Sequence, residues 1–369
     1  GQVNGNDHLI DHILYQYEHE EHNDEEYRDR RSEPGFQIRI VAESRKYQSR
    51  DHEGYEHGGQ GLLEVLLHAL LKVREKEYSA LPVQVPVDLG ESCRKDIVTT
   101  LEQMGFEIEA SHHECGDGQH EIDFKYSDAL DAADKIMTFK HVVRVVAQKH
   151  KMHATFMPKP IIDQPGSGMH INQSLFKDNK NIFCDEKGLD GLSTEAYKYI
   201  AGILEHAKGI CAITNPTVNS YKRLVPGYEA PVYIAWSHKN RSPLIRIPAK
   251  RGLSTRIELR SPDPSSNPYL ALAVVLTAGL DGIEKDLPVP ESVHSNLYKM
   301  TKEEKKARHI ETLPTTLKEA IDFLEEDELL LDAIGPHARN MYLNAKTREW
   351  NAYRIQITDW EVKNYLTTY

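Results

Sequence analysis

Several features that would assign this chain to a particular class of protein are missing from its sequence. Its 369 residues include only four cysteines, which are widely spaced and form no CxxC pair: Cys93, Cys115, Cys184 and Cys211. A disulfide framework or a cysteine zinc site is therefore not expected, and a reducing cytoplasm is the predicted setting. No apolar run reaches the roughly 18 residues that a membrane-spanning helix needs. The first ten residues also lack the basic and apolar pattern of a signal peptide.

Basic residues are also fewer than acidic ones. The chain has 45 lysines and arginines against 57 acidic residues, which gives a net charge of −12. This balance argues against nucleic acid or an anionic membrane as the main partner. One stretch departs from it, because between Arg241 and Arg260 six basic residues accompany a single acidic one, Glu258. A basic strip inside an acidic protein predicts a site for an anionic ligand.

The first 82 residues show no regular pattern that would predict a recognisable domain. Six histidines, at positions 8, 12, 19, 22, 52 and 57, lie among acidic runs. They could bind a metal, but the polar composition favours a solvated or disordered segment. Residues 61–77 are more apolar and fit either a short amphipathic helix or a strand followed by a helix.

From residue 83 onward the pattern predicts an α+β fold with a mainly antiparallel sheet. The turn Gly116-Asp117-Gly118 joins two candidate strands within residues 106–126 and predicts a hairpin. Asn267-Pro268 predicts a helix start, because asparagine can cap a helix and proline suits its first position. Further helices are predicted from residue 88 or 91 to 105, over 128–149, from about 194 to 208 and over most of the last hundred residues. The sequence contains no Rossmann fingerprint and no P-loop.

Two glutamates flank the turn of this predicted hairpin. Paired strands bring their ends side by side, so Glu114 and Glu121 could point into one cavity. Two carboxylates without a nearby pair of cysteines suit magnesium or manganese. The same residues could equally be surface glutamates, and His112 and His113 are ambiguous between surface and core positions.

A glycine-rich turn and a loop follow. The segment 166–170 (GSGMH) would let the backbone approach a ligand and would place His170 as a ligand of metal or substrate, although most such turns are only turns. Residues 219–231 (NSYKRLVPGYEAP) fit a loop that covers a site and fit a plain surface loop equally well.

The basic strip contains a pattern with period two. Arg256, Glu258 and Arg260 would share one face of a strand. Two guanidinium groups beside one carboxylate can bind phosphate, carboxylate and a cation, or can form an ordinary ladder of ion pairs.

Together these segments resemble the catalytic domain of bacterial type I glutamine synthetases. The resemblance rests on seven segments in order: 107–114 (EIEASHHE), 118–124 (GQHEIDF), 153–160 (HATFMPKP), 166–170, 215–231, 240–248 (NRSPLIRIP) and 255–273 (TRIELRSPDPSSNPYLALA). It implies a curved, mainly antiparallel sheet flanked by helices over residues 83–369, after a divergent segment 1–82.

The resemblance also implies roles for individual residues. The implied metal ligands are Glu114 and Glu121 for a first ion and His170 and Glu258 for a second. The implied glutamate-binding residues are Gly166, Arg223, Glu229 and Arg260, with Glu229 and Arg241 also implied to be catalytic. The implied nucleotide contacts are Glu109, Phe124, Asn172, Ser174, Arg241, Arg246 and Arg256.

The activity implied by the resemblance is the ATP-dependent ligation of ammonia to L-glutamate through a γ-glutamyl phosphate. Two Mg²⁺ or Mn²⁺ ions per site would assist, and the expected partners are glutamate, ammonia, ATP and further copies of the chain in stacked rings of six. Neither nucleic acid nor a membrane is an expected partner.

The sequence departs from the family in three places. No β-grasp domain is recognisable before residue 82, and Pro165 stands where the family usually has an asparagine. The family's Glu-Pro-Glu strand, which gives one carboxylate to each metal, has no counterpart, and the best-placed segment, 61–77, has leucine and valine there. These departures keep two alternatives open: a catalytically impaired structural or regulatory relative, and a related γ-glutamyl-amine ligase.

Overall fold

A computed structural model describes residues 88–227, 230–238 and 242–369 together with the backbone of residues 37–48. The central feature is one curved sheet with the strand order β2-β3-β1-β6-β10-β9-β8. Its strands are β1 (Gln37–Gln48), β2 (Ile108–His113), β3 (Gln119–Phe124), β6 (Met169–Lys177), β8 (Tyr233–Ser237), β9 (Pro243–Arg246) and β10 (Ile257–Leu259). Three two-residue strands join at its margins, β4 (Ser127–Asp128), β5 (Ala154–Thr155) and β7 (Lys180–Asn181). Only β8 and β9 pair in parallel among the described strands, which confirms the predicted α+β class.

Helices pack against this sheet and make up most of the described C-terminal part of the chain. They are α1 (Glu91–Gln103), α2 (Ala129–Lys149), α3 (Thr194–Glu205), α4 (Ala207–Thr214), α5 (Ser220–Arg223), α6 (Pro268–Glu284), α7 (Lys302–Ala307), α8 (Leu317–Glu325), α9 (Glu328–Ile334), α10 (Pro336–Tyr353) and α11 (Asp359–Tyr365). None of the described helices is both long enough and apolar enough to cross a membrane.

The predicted starts and ends of several elements are confirmed. The Asn267 side chain accepts hydrogen bonds from the backbone N–H groups of Tyr269 and Leu270, so it caps α6 as its sequence position indicates. Gly105 follows α1 with a φ of +86°, the left-handed conformation that glycine adopts at helix ends. The hairpin β2–β3 and the long helix α2 also lie where the sequence pattern predicts them.

The helix predicted over 194–208 is in fact two helices, α3 and α4, that meet at His206. The His206 Nδ1 lies 2.6 Å from Asp327 Oδ2 and its Nε2 lies 3.2 Å from Asp281 Oδ2. Burial disfavours the charged imidazole, but the two carboxylates outweigh this and raise the pKa of His206. His206 therefore connects the α3–α4 junction to α6, which carries Asp281, and to the residue that caps α9.

The sheet position between β3 and β6 belongs to β1, rather than to the residues 61–77 favoured by the sequence. Backbone pairing puts Glu43 in register with His170 on β6, and Arg45 in register with Glu121 on β3. The segment 61–77 lies outside the described residues. On β1, an acidic residue, Glu43, and a basic residue, Arg45, are thus in register with two of the predicted metal ligands.

Candidate active site

The turn of the β2–β3 hairpin brings three potential ligands together. His112 Nε2 lies 2.8 Å from Glu114 Oε1 and 3.9 Å from Glu121 Oε2. One ligand atom from each residue lies within 4.8 Å of the other two. Register explains the proximity, because His112 pairs directly with Glu121 across the two strands. The two carboxylates are mostly buried, whereas about half of the His112 side chain is exposed.

A second cluster lies on the opposite face of the same hairpin, where Asp88, His113 and His120 come together. A guanidinium group already lies among them. Arg94 Nη1 donates to Asp88 Oδ2 at 2.5 Å and contacts His120 Nδ1 at 2.8 Å. Burial opposes ionisation of Asp88, but the hydrogen bond and charge of Arg94, together with His120 and the Gly90 N–H, outweigh it and lower the Asp88 pKa. This cluster is therefore a buried ion pair that fastens α1 to the sheet, rather than a cation site.

Glycine is required at positions 166 and 168 because other residues pack closely against the backbone there. A Cβ on Gly166 would lie 2.6 Å from the Pro158 carbonyl oxygen and 2.8 Å from Arg223 Cγ. A Cβ on Gly168 would lie 2.6 Å from Arg223 Nη2 and 3.2 Å from His170 Nε2. The small residues thus allow the approach of the Arg223 side chain, whereas the sequence had suggested the approach of a ligand. Arg223 itself is buried and donates to the backbone carbonyls of Ser261 and Arg260.

The strands β6 and β10 carry the charged centre of the site. Glu258 is 2% exposed, and its Oε1 lies 3.3 Å from His170 Nδ1 and 3.9 Å from Arg260 Nε. Its Oε2 accepts a short hydrogen bond from Arg246 Nε. Burial disfavours ionised Glu258, but His170 and Arg246 outweigh this and hold its pKa well below the ordinary value. Glu258 is therefore a buried carboxylate ion surrounded by three cationic or hydrogen-bonding groups.

Arg256 extends this face of the sheet. Its Nε donates to the Asn172 side chain at 3.1 Å, and Asn172 is in register with Glu258. The three residues with period-two spacing thus contact one surface, as their sequence pattern predicts. Ser174, two positions further along β6, is also buried.

The hairpin and the β6–β10 region share one face of the sheet. Residues in register across strands point to the same side, as do residues two apart along a strand. The register of β1 with β3 and with β6 therefore places Glu121 on the same face as His170. A buried amide joins the two regions directly, because Gln119 Nε2 donates to the Gly166 carbonyl at 3.1 Å. Sequence reasoning gave Gln119 no role and left His112 ambiguous, although both lie within the motifs that it used.

Of the four remaining predicted site residues, two lie in the described part of the chain and two lie outside it. Glu109 is exposed on β2. The Phe124 ring is buried in the core, 5.6 Å from Phe106 and 5.7 Å from Phe139 between ring centroids, so only its backbone can reach a ligand. Glu229 and Arg241 lie outside the described residues, and their roles stay predictions.

The donor groups fit hard divalent cations. Carboxylate oxygens are the preferred ligands of Mg²⁺ and Mn²⁺, and imidazole nitrogen is accepted by Mn²⁺ and later metals. The hairpin offers two carboxylates and one imidazole, and the β6–β10 region offers Glu258 and His170. Arginines beside a buried carboxylate are also the arrangement expected where phosphate groups bind.

This chain matches a known protein family over most of its length. The family model described as "Glutamine synthetase, catalytic domain" matches residues 40–365. The match begins within β1, before the boundary that the sequence placed at residue 83.

Two proteins named glutamine synthetase are similar in sequence to this chain. The glutamine synthetase of Clostridium saccharobutylicum is 59% identical over 284 residues, and that of Staphylococcus aureus is 58% identical over 284 residues. Each alignment covers 77% of this chain and 64% of the relative, so the chain spans less than two thirds of these proteins.

Solved structures share the fold. One described as "GmaS/ADP complex-Conformation 1" has a TM-score of 0.73 and 31% identity, covering 90% of this chain and 73% of that one. A Plasmodium falciparum glutamine synthetase has a TM-score of 0.75 and 27% identity, covering 89% of this chain and 75% of that one. The family match and the shared fold lead to one conclusion: this chain belongs to the glutamine synthetase catalytic-domain family.

Proposed function

We propose that this chain is an ATP-dependent glutamate–ammonia ligase that forms L-glutamine, ADP and phosphate. The observation that carries the proposal is the buried Glu258 ion, held between His170, Arg246 and Arg260 on the same sheet face as Glu114 and Glu121. Such a face supplies both the anionic ligands that divalent cations need and the guanidinium groups that phosphate groups need. Its curated relatives are named glutamine synthetase, which supports the same assignment.

The sheet face that carries Glu258, His170, Arg246, Arg256 and Arg260 is called the charged face. Its residues would bind the triphosphate of ATP. Arg246 and Arg256 would contact its phosphates, with Arg241 as a third cation. The buried Asn172 and Ser174 on β6 would contact the nucleotide. Divalent cations, held by Glu114 and Glu121 at one position and by His170 and Glu258 at the other, would offset charge on the phosphates when bound. The exposed Glu109 and the backbone of Phe124 would contact the remainder of the nucleotide.

The glutamate substrate would bind beside the glycine turn. Gly166 lies against the aliphatic part of the Arg223 side chain, Gly168 lies against its guanidinium, and Arg260 lies near Glu258. Positive charge there would orient the substrate carboxylates so that the γ-carboxylate faces the phosphates of ATP. An oxygen of that carboxylate attacks the terminal phosphorus, the bond from phosphorus to the bridging oxygen breaks, and ADP leaves.

Ammonia would complete the reaction. It attacks the carbonyl carbon of γ-glutamyl phosphate, loses a proton, and expels phosphate as glutamine forms. Water would hydrolyse the same intermediate, so the residues of the 219–231 loop, Glu229 among them, are proposed to exclude water and attract ammonium.

A second candidate function is a relative that binds nucleotide without efficient ligation. The backbone register favours it, because a basic residue, Arg45, and no carboxylate is paired with Glu121. A γ-glutamyl-amine ligase is a third reading, in which an amine replaces ammonia at the same site. Assembly into stacked rings of six, and a location in the cytoplasm, are likewise proposals.

One assay separates these functions. Phosphate and glutamine are measured together in purified protein with ATP, Mg²⁺ or Mn²⁺, glutamate and either ammonia or methylamine. The ligase predicts equal amounts of phosphate and glutamine that depend on both glutamate and ammonia. Tight nucleotide binding without phosphate release supports the second function, and a strong preference for methylamine supports the third.

A further inference from the structure

The hairpin cluster contains a nitrogen donor that the family resemblance does not assign to any metal. His112 lies on β2 directly opposite Glu121, and its Nε2 is positioned between carboxylate oxygens of Glu114 and Glu121. The tip is closed by a backbone hydrogen bond from Glu114 N to Gln119 O at 2.8 Å, so the three residues extend from one rigid turn.

The spacing of the three ligand atoms suits a single ion. Ligands at about 2.1–2.2 Å from a manganese-sized ion lie roughly 3 Å apart when adjacent and about 4.3 Å apart when opposite in octahedral geometry. The observed separations of 2.8 Å and 3.9 Å from His112 Nε2, with all three atoms within 4.8 Å, fall in this range. The cluster therefore needs only small side-chain adjustments to surround one cation.

The exposure of the three side chains is also what an accessible site requires. Glu121 and Glu114 are 7% and 14% exposed, whereas His112 is 48% exposed. Two carboxylates are thus fixed within the protein, and the imidazole closes the site from the solvent side.

We propose that His112 Nε2 is the third protein ligand of the cation held by Glu114 and Glu121, and that it makes this site select Mn²⁺ over Mg²⁺. The proposal rests on the proposed function only for the presence of a cation at the hairpin. Mg²⁺ prefers oxygen ligands, whereas an imidazole donor favours Mn²⁺ and the later divalent metals.

The alternative is that His112 only donates a hydrogen bond to Glu114. His112→Gln separates the two cases, because the glutamine amide can donate the same hydrogen bond but places no imidazole nitrogen on the metal. His113→Gln is the matched control, since His113 lies next along β2 and faces His120 on the other side of the sheet, with ring centroids 5.0 Å apart.

The first measurement is pulsed electron paramagnetic resonance of bound Mn²⁺ in the absence of substrates. It uses a His170→Ala background, which removes the imidazole of the other predicted ion. Nitrogen modulation from a directly bound imidazole is expected in this background and in His170→Ala with His113→Gln. It should disappear in His170→Ala with His112→Gln, while circular dichroism confirms that each variant is folded.

The second measurement is the affinity of the otherwise unchanged protein for each cation by calorimetry. Loss of a direct ligand should weaken Mn²⁺ binding at least as much as loss of an outer-shell partner, about 10-fold or more. Mg²⁺ binding in His112→Gln should change by less than about 3-fold, because oxygen donors dominate Mg²⁺ binding.

Three results would overturn the inference: no Mn²⁺ binding or no nitrogen modulation in the His170→Ala background, modulation that survives His112→Gln, or equal weakening of both cations. Neither measurement needs turnover. An inactive protein that binds Mn²⁺ through His112 would contradict the proposed function alone, and an active ligase without nitrogen coupling would contradict this inference alone.

Discussion

Replacing Glu258 by glutamine removes the negative charge at the centre of the charged face and keeps the shape of the side chain. In the folded protein His170, Arg246 and Arg260 would then surround a neutral amide. Two effects are expected together, a loss of phosphoryl transfer and a loss of stability. The position of Glu258 in the sequence suggested only the first, because burial of the carboxylate is visible only in the structure.

The size of the stability loss follows from burial. Removing one partner of a buried ion pair costs about 3–5 kcal/mol, since the remaining charge stays buried without compensation. Arg246 is 29% exposed and can regain some hydration, whereas Arg260 is 6% exposed and cannot. We therefore expect the lower end of the range, about 3 kcal/mol at pH 7.

The lowered pKa of Glu258 determines how the stability loss of the variant changes with pH. The pKa of Glu258 is lowered in the folded state, so its contribution to stability is complete above the unfolded pKa of 4.5 and is lost as pH falls toward the folded pKa. The difference in unfolding free energy between wild type and Glu258→Gln should thus be constant from pH 6 to 8. Below about pH 4.5 it should shrink by about 1.4 kcal/mol per pH unit.

The assay is urea unfolding at fixed protein concentration, at several pH values, with ATP-dependent phosphate release measured on the same preparations. Glu107→Gln is the control, because Glu107 pairs with Lys125 on the exposed surface, and its unfolding midpoint should match wild type. A Glu258→Gln protein with wild-type stability at pH 7, or with a difference that grows in acid, would refute the reasoning.

Three further predictions follow from the same contacts. Gly168→Ala should displace the Arg223 guanidinium, lower stability by about 1–3 kcal/mol and raise the KM for glutamate; an unchanged KM would contradict the packing argument. In His206→Gln, the deficit in unfolding free energy relative to wild type should be complete below pH 6.5 and vanish as pH rises through the raised pKa, and urea unfolding between pH 5.5 and 9 tests this. Glu229→Ala should lower glutamine formation far more than ATP binding and raise phosphate release without glutamine; equal losses of both products would argue against a loop that protects the intermediate.

The sequence predicted local structure well where local chemistry decides it. The cap at Asn267, the glycine turn of the hairpin and the period-two pattern around Glu258 each depend on neighbouring residues, and each is confirmed. The break at His206 was missed, because it depends on carboxylates more than seventy residues away. Long-range strand pairing was missed for the same reason.

The candidate site was predicted in composition but not in arrangement. The predicted hairpin turn placed Glu114 and Glu121 together, but sequence reasoning could not show that His112 lies beside both of them, since that requires the hairpin register. Nor could it show that the glycines at 166 and 168 make room for Arg223 from a distant loop. Sequence reasoning found no strand to place beside the hairpin and named residues 61–77 only as the best-placed segment. The structure pairs β1 with the hairpin, a long-range pairing that local sequence pattern does not determine.

The central claim is that this sheet face transfers phosphate to the γ-carboxylate of glutamate before ammonia attacks. The most direct test supplies glutamate labelled with ¹⁸O in its γ-carboxylate and measures the released phosphate by mass spectrometry. The mechanism moves one carboxylate oxygen into phosphate, so one ¹⁸O per phosphate is predicted, in step with glutamine. Phosphate released without ¹⁸O would mean that water, and not glutamate, accepts the phosphoryl group, and would contradict the account.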